Sequence, residues 1–187
     1  MKIDVPLSSA FKLINVGQTV LVTCRHANRD NVFTVSWMTP VSIMPPIVAI
    51  SCVKSNLSHE MIHASREFTI NIPESSLLDP LHGCGKLTGR DTDKFTRFQL
   101  TREPGKLVGA PAIEECVGHL ECRVTAEPVY GDFTLFIAEV VAAYADELRF
   151  TTRWHMEQTT FVCNVGDDYY TFSGEPVQSK LVFPPRP

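Results

Sequence analysis

The most constraining part of the sequence is the stretch of residues 31–73, in which two strand-like segments lead into a short helical segment. Apolar and hydroxyl residues alternate over residues 32–37, as expected for a strand with two different faces. A second apolar segment, residues 47–53, is followed by a short polar loop. Ser58 then provides a good N-cap for a helix over residues 59–66. The chain must therefore fold around a strand–loop–helix unit.

This unit can be interpreted in two ways. The first-turn N–H groups of a helix lack intrahelical partners and carry partial positive charge. With Lys54, Ser55 and Ser58 nearby, they would hold a phosphate group. The alternative is a strand and a capped helix that bind no ligand, which is the commoner arrangement. The local pattern leaves both interpretations open.

The other strand-like segments predict a mainly β protein. Segments rich in Val, Ile, Phe and Thr cover residues 20–25, 32–37, 47–53, 68–72, 119–129, 133–143 and 169–172. Tyr130, Gly131 and Asp132 join two of these segments into a hairpin. Many short strands in one chain favour a closed barrel, because closure removes exposed sheet edges.

A second helix, a proline-containing connection and a tail complete this prediction. The helix is expected over residues 80–87, with Asp79 as its cap and Pro80 at its first position. Three prolines within residues 40–46 predict a turn between two strands. Residues 183–187, Phe-Pro-Pro-Arg-Pro, cannot continue a helix or donate to a central sheet, so we expect a loose tail.

Composition indicates one soluble domain in the cytoplasm. The chain has 187 residues, of which 44% are hydrophobic, and can bury a sizeable core. Its net charge of -4 gives no basic field for nucleic acid or an anionic membrane. No apolar run reaches the ~18 residues that span a bilayer, and the start does not resemble a signal peptide. We expect a single domain over residues 1–187.

The chain has six cysteines and no CxxC pair. We interpret them as reduced thiols, as expected for a cytoplasmic protein. Cys116, His119 and Cys122 superficially offer ligands for zinc. On a strand, however, the side chains of His119 and Cys122 point to opposite faces. We therefore predict no metal site.

Three motifs follow one another in the sequence. Residues 34–42 read TVSWMTPVS, residues 88–95 read TGRDTDKF, and residues 164–174 read NVGDDYYTFSG. They match, in order, T-V-S-W-x-x-P-V-S, S-G-R-D-x-D-K-F with Thr88 in place of the usual Ser, and more weakly a closing G-x-Y-Y-x-x-G. The chain thus resembles the FMN-binding split-barrel family, which contains flavin reductases, ferric reductases and flavoredoxins. The resemblance covers residues 12–174 and implies a Greek-key split barrel that binds FMN.

The resemblance assigns flavin contacts to particular residues of this sequence. The edge of the flavin ring is expected to contact Thr34, Ser36, Trp37, Met38 and Thr39. The strand end that meets the flavin is expected to comprise Ser51, Cys52 and Val53. The phosphate and ribityl chain are expected to contact Lys54, Ser58 and His59, with Lys86 and Lys94 as further counter-charges.

Several of these residues also have a purely structural interpretation that involves no ligand. Trp37 could be a plain core aromatic, and Lys86 and Lys94 could be solvated surface side chains. Arg90 and its neighbours Asp91 and Asp93 are expected to order their loop through mutual ion pairs.

Two residues are candidates for a catalytic role. A thiol at Cys52 could tune the flavin or form a transient adduct, or it could be a small buried apolar group. His59 could supply a proton, as could His155, although a first-turn histidine more often contacts phosphate or solvent.

The resemblance implies an FMN-dependent oxidoreductase. Electrons would pass from NAD(P)H or another donor through FMN to flavin, ferric iron or a partner protein. The alternatives are a flavoredoxin-type electron carrier and a barrel that has lost its ligand. No GxGxxG loop is present, so a nicotinamide would have to stack directly on the flavin. The family also implies a homodimer with FMN at the subunit boundary, and the candidate covers are Trp154, Tyr169 and Tyr170.

Overall fold

The computed structural model of the chain describes residues 2–177, so the predicted tail of residues 183–187 lies outside the described part. In order, strands β1–β13 cover Gly17–Gln18, Val20–His26, Arg29–Val35, Met38–Ser42, Ile47–Val53, Glu67–Ile72, Arg102–Glu103, Ala112–Ile113, Gly118–Ala126, Val129–Tyr130, Phe133–Ala145, Val162–Gly166 and Tyr169–Phe172. Helices α1–α3 cover Leu57–Ser65, Leu78–Lys86 and Lys94–Phe98, and two 3₁₀-helices cover Leu7–Leu13 and Ser75–Leu77. None of the helices within residues 2–177 combines the length and apolar character needed to span a bilayer.

The main sheet is antiparallel and runs in the order β3-β2-β6-β9-β11-β5-β4, with β10 also paired to β11. Its two end strands, β3 and β4, are consecutive in the chain and are joined only by Ser36 and Trp37. In a flat sheet these ends would lie roughly 29 Å apart, at about 4.8 Å per strand. Such a short connection spans only about 10 Å. The sheet must therefore curl into a barrel with a seam beside β3, which confirms the predicted fold class.

Strand β3 separates two apolar cores, as the alternation in its sequence predicts. Phe33 and Val35 pack inside the barrel, where the other large buried side chains include Ile50, Phe68 and Phe136. Val32 points the other way, into a second core with Leu81, Phe95 and Ile113 under α2 and α3. Burying each large apolar side chain contributes about 1.5–3 kcal/mol. This second core fixes α2 and α3 against the outside of the barrel.

The predicted proline turn is wrong in one respect. Pro40 lies within β4, and the turn before β5 is formed by residues 43–46. Proline is tolerated there because β4 is an edge strand, where a missing N–H breaks no central ladder.

Both predicted helix caps are also wrong. Helix α1 begins at Leu57 after Asn56, so Ser58 lies in its first turn, where its Oγ accepts a hydrogen bond from Asn31 Nδ2 at 2.8 Å. Helix α2 begins at Leu78, which places Asp79 and Pro80 inside the first turn. Pro80 costs little there, because first-turn N–H groups have no intrahelical acceptor.

The predicted mutual ion pairs after α2 are replaced by contacts to other elements. Asp93 caps α3 by accepting hydrogen bonds from the N–H groups of Phe95 and Thr96, and it pairs with Arg102 at 2.9 Å. Arg90 pairs with Glu60 on α1. The loop is therefore held by α1, by its own helix cap and by a following strand.

Candidate functional site

A groove follows the barrel seam and has three connected parts. Its polar end, about 60 Å³, lies between β3 and the loops around α2 and α3. Its central slot, about 200 Å³, lies between the ends of β3 and β5. Its outer cavity, about 410 Å³, lies under the first 3₁₀-helix. Thr34 lines both the polar end and the central slot, while Ser36 and Trp37 line both the slot and the outer cavity.

Lys94 dominates the polar end. It is the first residue of α3 and is only 4% exposed, and its Nζ donates a hydrogen bond to the Cys84 carbonyl at 2.8 Å. None of the ion pairs formed within residues 2–177 includes Lys94. Burial lowers the pKa of this ammonium group below its usual 10.5. A buried cation with a single carbonyl acceptor calls for an anion to compensate it.

Two glycines allow the walls of the polar end to pack closely against β3. Gly85 and Gly89 both line the polar end. A Cβ at Gly89 would overlap the amide of Asn31, and one at Gly85 would lie 3.2 Å from Thr34 Cβ. Ser58, Asn31 and Thr88 line the same space, so the polar end brings together a cation and residues with hydroxyl and amide groups.

The central slot is a gap in the barrel wall. The Ser51 N–H donates to the Trp37 carbonyl at 2.9 Å and continues the β4–β5 ladder up to the edge of the slot. The rings of Trp37 and Phe133 lie 5.1 Å apart and form an aromatic wall. The slot is therefore a narrow, mainly apolar space with backbone groups at its edge, the form of site that holds a planar ligand.

Cys52 lines the slot and is 2% exposed. Burial raises the pKa of its thiol to about 12. Burial therefore disfavours the thiolate, so the Cys52 side chain is a buried, protonated thiol that can act as a weak hydrogen-bond donor.

The outer cavity is roofed by the N-terminal segment. Phe11 of the 3₁₀-helix packs edge-on against Trp37 with the ring centres 5.4 Å apart. Ile14 lies on the same side, and Met38 and Leu135 form the floor. The cavity is apolar and opens next to the central slot.

The structure brings most of the predicted site residues to this groove. Those that line it are Thr34, Ser36, Trp37, Met38, Thr39, Ser51, Cys52, Val53, Ser58 and Lys94. Lys54, His59 and Lys86 do not line these three parts. Lys86, at the end of α2, pairs with Asp168 outside the groove. His59 contacts Thr134 Oγ1 through Nε2 at 2.8 Å, and Lys54 is exposed.

Sequence reasoning missed several lining residues. Phe133 pairs with Val53 where β11 lies beside β5, and the sequence does not mark this pairing because the two strands are far apart in the chain. Asn31 and Asn56 flank predicted elements but carry no motif that marks them. No local signal identifies Phe11, since its contact with Trp37 joins distant parts of the chain.

The rejected zinc cluster is dispersed in the fold. Cys122 lies inside the barrel core, whereas His119 contacts Asn71 Oδ1 through Nδ1 at 3.0 Å. Within residues 2–177, no three His, Cys, Asp or Glu side chains are grouped so as to hold a metal ion.

Comparison with known proteins assigns the family. Residues 15–160 match the family described as flavin reductase like domain. Since the match covers well over half of the chain, the chain belongs to the flavin reductase-like family. It is 34% identical over 160 residues to the uncharacterized protein YddH of Escherichia coli (strain K12), which covers 83% of this chain and 85% of that protein.

Solved structures share the same fold. An FMN-binding domain of a flavin reductases-like enzyme from Shewanella baltica superposes with a TM-score of 0.82 at 27% identity, covering 94% of this chain and 96% of that one. Flavoredoxin from Methanosarcina acetivorans gives a TM-score of 0.83 at 24% identity, covering 97% and 96%.

Proposed function

We propose that this protein is an FMN-dependent oxidoreductase that passes electrons from NAD(P)H or another donor through bound FMN to flavin, ferric iron or a partner protein. The observation that carries the proposal is the buried ammonium of Lys94 at one end of a groove whose other parts are apolar. FMN has the matching polarity, with a phosphate at one end and a planar ring at the other.

The residues present fit this cofactor. Lys94, Ser58 and the backbone near Gly85 and Gly89 would hold the phosphate, since all of them face the polar end. A charge-assisted hydrogen bond from a buried ammonium contributes about 1.5–3 kcal/mol. Trp37, together with the strand end of β5, would border the ring.

FMN supplies the electron transfer itself when it is bound. The chain's own groups orient the ring and exclude water. The backbone of β3 and β5 meets the slot edge, while the Cys52 side chain lies in the barrel core beside the slot. Lys54, His59 and Lys86 receive no role in this proposal, because they do not line the groove.

The outer cavity would receive the electron donor or acceptor. It adjoins the slot across Ser36, Trp37 and Ser51, and its lining is mainly apolar and aromatic. A planar ring would therefore find a surface there beside the flavin.

The second candidate function is a flavoredoxin-type carrier that exchanges electrons only with other proteins. It is favoured by the position of Phe11 and Ile14, which cover part of the outer cavity and narrow the access of a small molecule. Flavoredoxin from Methanosarcina acetivorans shares the fold of this chain, and this similarity supports the carrier at the level of the fold.

Two measurements test these proposals in sequence. The protein is purified and heated, and the flavin released is identified by chromatography, which is expected to show the mononucleotide. NADH and NADPH are then added separately to the flavin-loaded protein under anaerobic conditions. If either nucleotide bleaches the flavin, the result supports the enzyme. If neither nucleotide bleaches it, the result supports the carrier. Protein that contains no flavin and takes up none from solution contradicts both.

We further propose a homodimer that covers the groove. Large apolar side chains are strongly exposed on the N-terminal segment and on the β4–β5 turn, where Ile14 is 86% and Ile43 91% exposed. Of the expected covers, Tyr169 is 75% exposed, whereas Trp154 packs between two phenylalanines of its own chain. The hydroxyl of Tyr170 lies 3.0 Å from His82 Nδ1. Sedimentation velocity is expected to give a dimer, and a monomer that retains FMN would contradict this arrangement.

A further inference from the structure

The side chain of Asn15 links Trp37 to a distant hairpin. Trp37 Nε1 donates a hydrogen bond to Asn15 Oδ1 at 2.5 Å. The same amide donates from Nδ2 to Asn164 Oδ1 at 3.0 Å. Both ends of one amide are thus used, and they join the aromatic wall of the groove to strand β12.

Asn164 is itself held firmly. Its Oδ1 also accepts a hydrogen bond from the Gly166 N–H at 3.0 Å, at the end of β12 next to the turn that leads to β13. Its backbone N–H donates to Thr19 Oγ1 at 3.0 Å, and it pairs with Gly17 across β1 and β12. The anchor therefore belongs to a paired sheet and not to a free side chain.

The indole needs such a support. Trp37 follows β3 by two residues, is 37% exposed, and is bordered by the groove on both of its sides. Ring contacts come from Phe11 and Phe133, neither of which fixes the direction of the indole N–H. The hydrogen bond at Nε1 is the contact that fixes the side-chain torsion angles of Trp37 and thus the orientation of its ring.

We propose that Asn15 is a positioning residue for Trp37, and that it holds the indole as the wall between the central slot and the outer cavity. Asn15 lines the outer cavity but not the central slot, so it acts on the position of the flavin ring through Trp37. The positioning itself is independent of what the groove binds, whereas its consequence for flavin rests on the proposed function.

The positioning is tested without any ligand. The chain has two tryptophans, Trp37 and Trp154, so its indole N–H groups give two ¹⁵N–¹H NMR signals, and Trp37→Phe identifies one of them. Asn15→Ala is expected to shift the Trp37 signal and to speed its hydrogen exchange by about fivefold, the factor expected for losing one net hydrogen bond. The Trp154 signal should not move.

Two further variants separate positioning from a general loosening of the N-terminal segment. Asn15→Asp keeps an oxygen for the Trp37 N–H but loses the donor to Asn164, so it should fall between the parent and Asn15→Ala. Lys12→Ala breaks the ion pair of the same segment with Asp167, 3.2 Å long, and should leave the Trp37 signal unchanged. An unchanged Trp37 signal in Asn15→Ala overturns the proposal, and so does an equal change in Lys12→Ala.

Flavin binding then tests the consequence. Asn15→Ala is expected to weaken FMN and riboflavin by the same factor, about fivefold, because the ring wall is changed and the polar end is not. If the parent binds no flavin, the proposed function fails, while the NMR signals still decide whether Asn15 positions Trp37. A shifted Trp37 signal with unchanged affinity for both flavins contradicts the wall role.

Discussion

The polar end and the outer cavity of the groove are built in opposite ways. The polar end rests on α2 and α3, which are fixed by the second apolar core, and its lysine is almost completely buried. The outer cavity is roofed by a 3₁₀-helix that contributes no buried residue and is tied down by exposed contacts. A rigid charged end can select a ligand, whereas a loosely held apolar end can admit different ones. Selectivity for the phosphate and access to the ring are therefore separate properties of this groove.

The largest effect is expected from removing the charge at the polar end. Lys94→Ala should weaken FMN binding by at least about tenfold, because one charge-assisted contact exceeds the ~1.4 kcal/mol that corresponds to a factor of ten. Riboflavin, which has no phosphate, should bind the variant nearly as well as the parent. Flavin fluorescence titrations measure both affinities.

Lys86→Ala is the matched control, since Lys86 pairs with Asp168 outside the groove. It should leave both affinities unchanged. Equal losses of FMN and riboflavin in Lys94→Ala would show that Lys94 supports the fold and not the phosphate.

A smaller effect is expected in the central slot, between the two ends. Cys52→Ala should retain its FMN, with a stability cost of about 1 kcal/mol for a small buried side chain. The rate of bleaching by NAD(P)H, or the reduction potential of the flavin, should change, because a thiol dipole beside the slot is removed. A lost dipole contact corresponds to about two- to fivefold in rate. Stopped-flow absorbance and a potential titration measure these quantities.

Cys122→Ala removes an equally buried thiol from the same core but away from the groove. It should change stability only. If Cys52→Ala matches it in rate and in potential, Cys52 is a packing residue.

The smallest expected effect is a pH dependence of stability that is caused by Lys94 at the polar end. Burial lowers the pKa of Lys94 in the folded protein below its usual 10.5. Between the two values Lys94 binds a proton in the unfolded chain but not in the folded protein, so the contribution of Lys94 to the stability of the flavin-free protein should rise with pH. The rise is at most about 1.4 kcal/mol per pH unit for one proton. Bound FMN should reduce it, since the phosphate favours the charged lysine. Buried thiols such as Cys52, whose pKa is raised by burial, contribute in the opposite direction.

Urea unfolding at several values between pH 8 and about pH 10.5 measures this slope. The control is Lys94→Met, which keeps much of the apolar stem and cannot titrate. The slope of stability against pH should be more positive in the parent than in Lys94→Met, and equal slopes would mean that the buried lysine contributes nothing to it.

The same comparison explains what the sequence could predict. Strands β5 and β13 occupy the predicted bounds, because their apolar residues and turn signals are local. Lys86 and Lys94 lie in similarly polar stretches of the sequence. Only Lys94 is buried in the fold, because α3 packs on the second apolar core. That difference arises from packing between distant segments.

The helix start and the roof of the groove show the same limit. Asn56 and Ser58 are both suitable N-cap residues. The side chain of Ser58 instead accepts a hydrogen bond from Asn31, which is far away in the sequence. Phe11 and Asn15 reach Trp37 only in the folded chain. The motifs thus located most of the groove lining, while long-range contacts determined its roof and the roles of its lysines.

The central claim is that the polar end holds the phosphate of a flavin whose ring occupies the slot. It is tested most directly by titrating flavin-free protein with FMN and with riboflavin under the same conditions. FMN is expected to bind at least about tenfold more tightly, the minimum for one buried charge contact. Equal affinities for the two flavins, or binding of neither, would contradict the account.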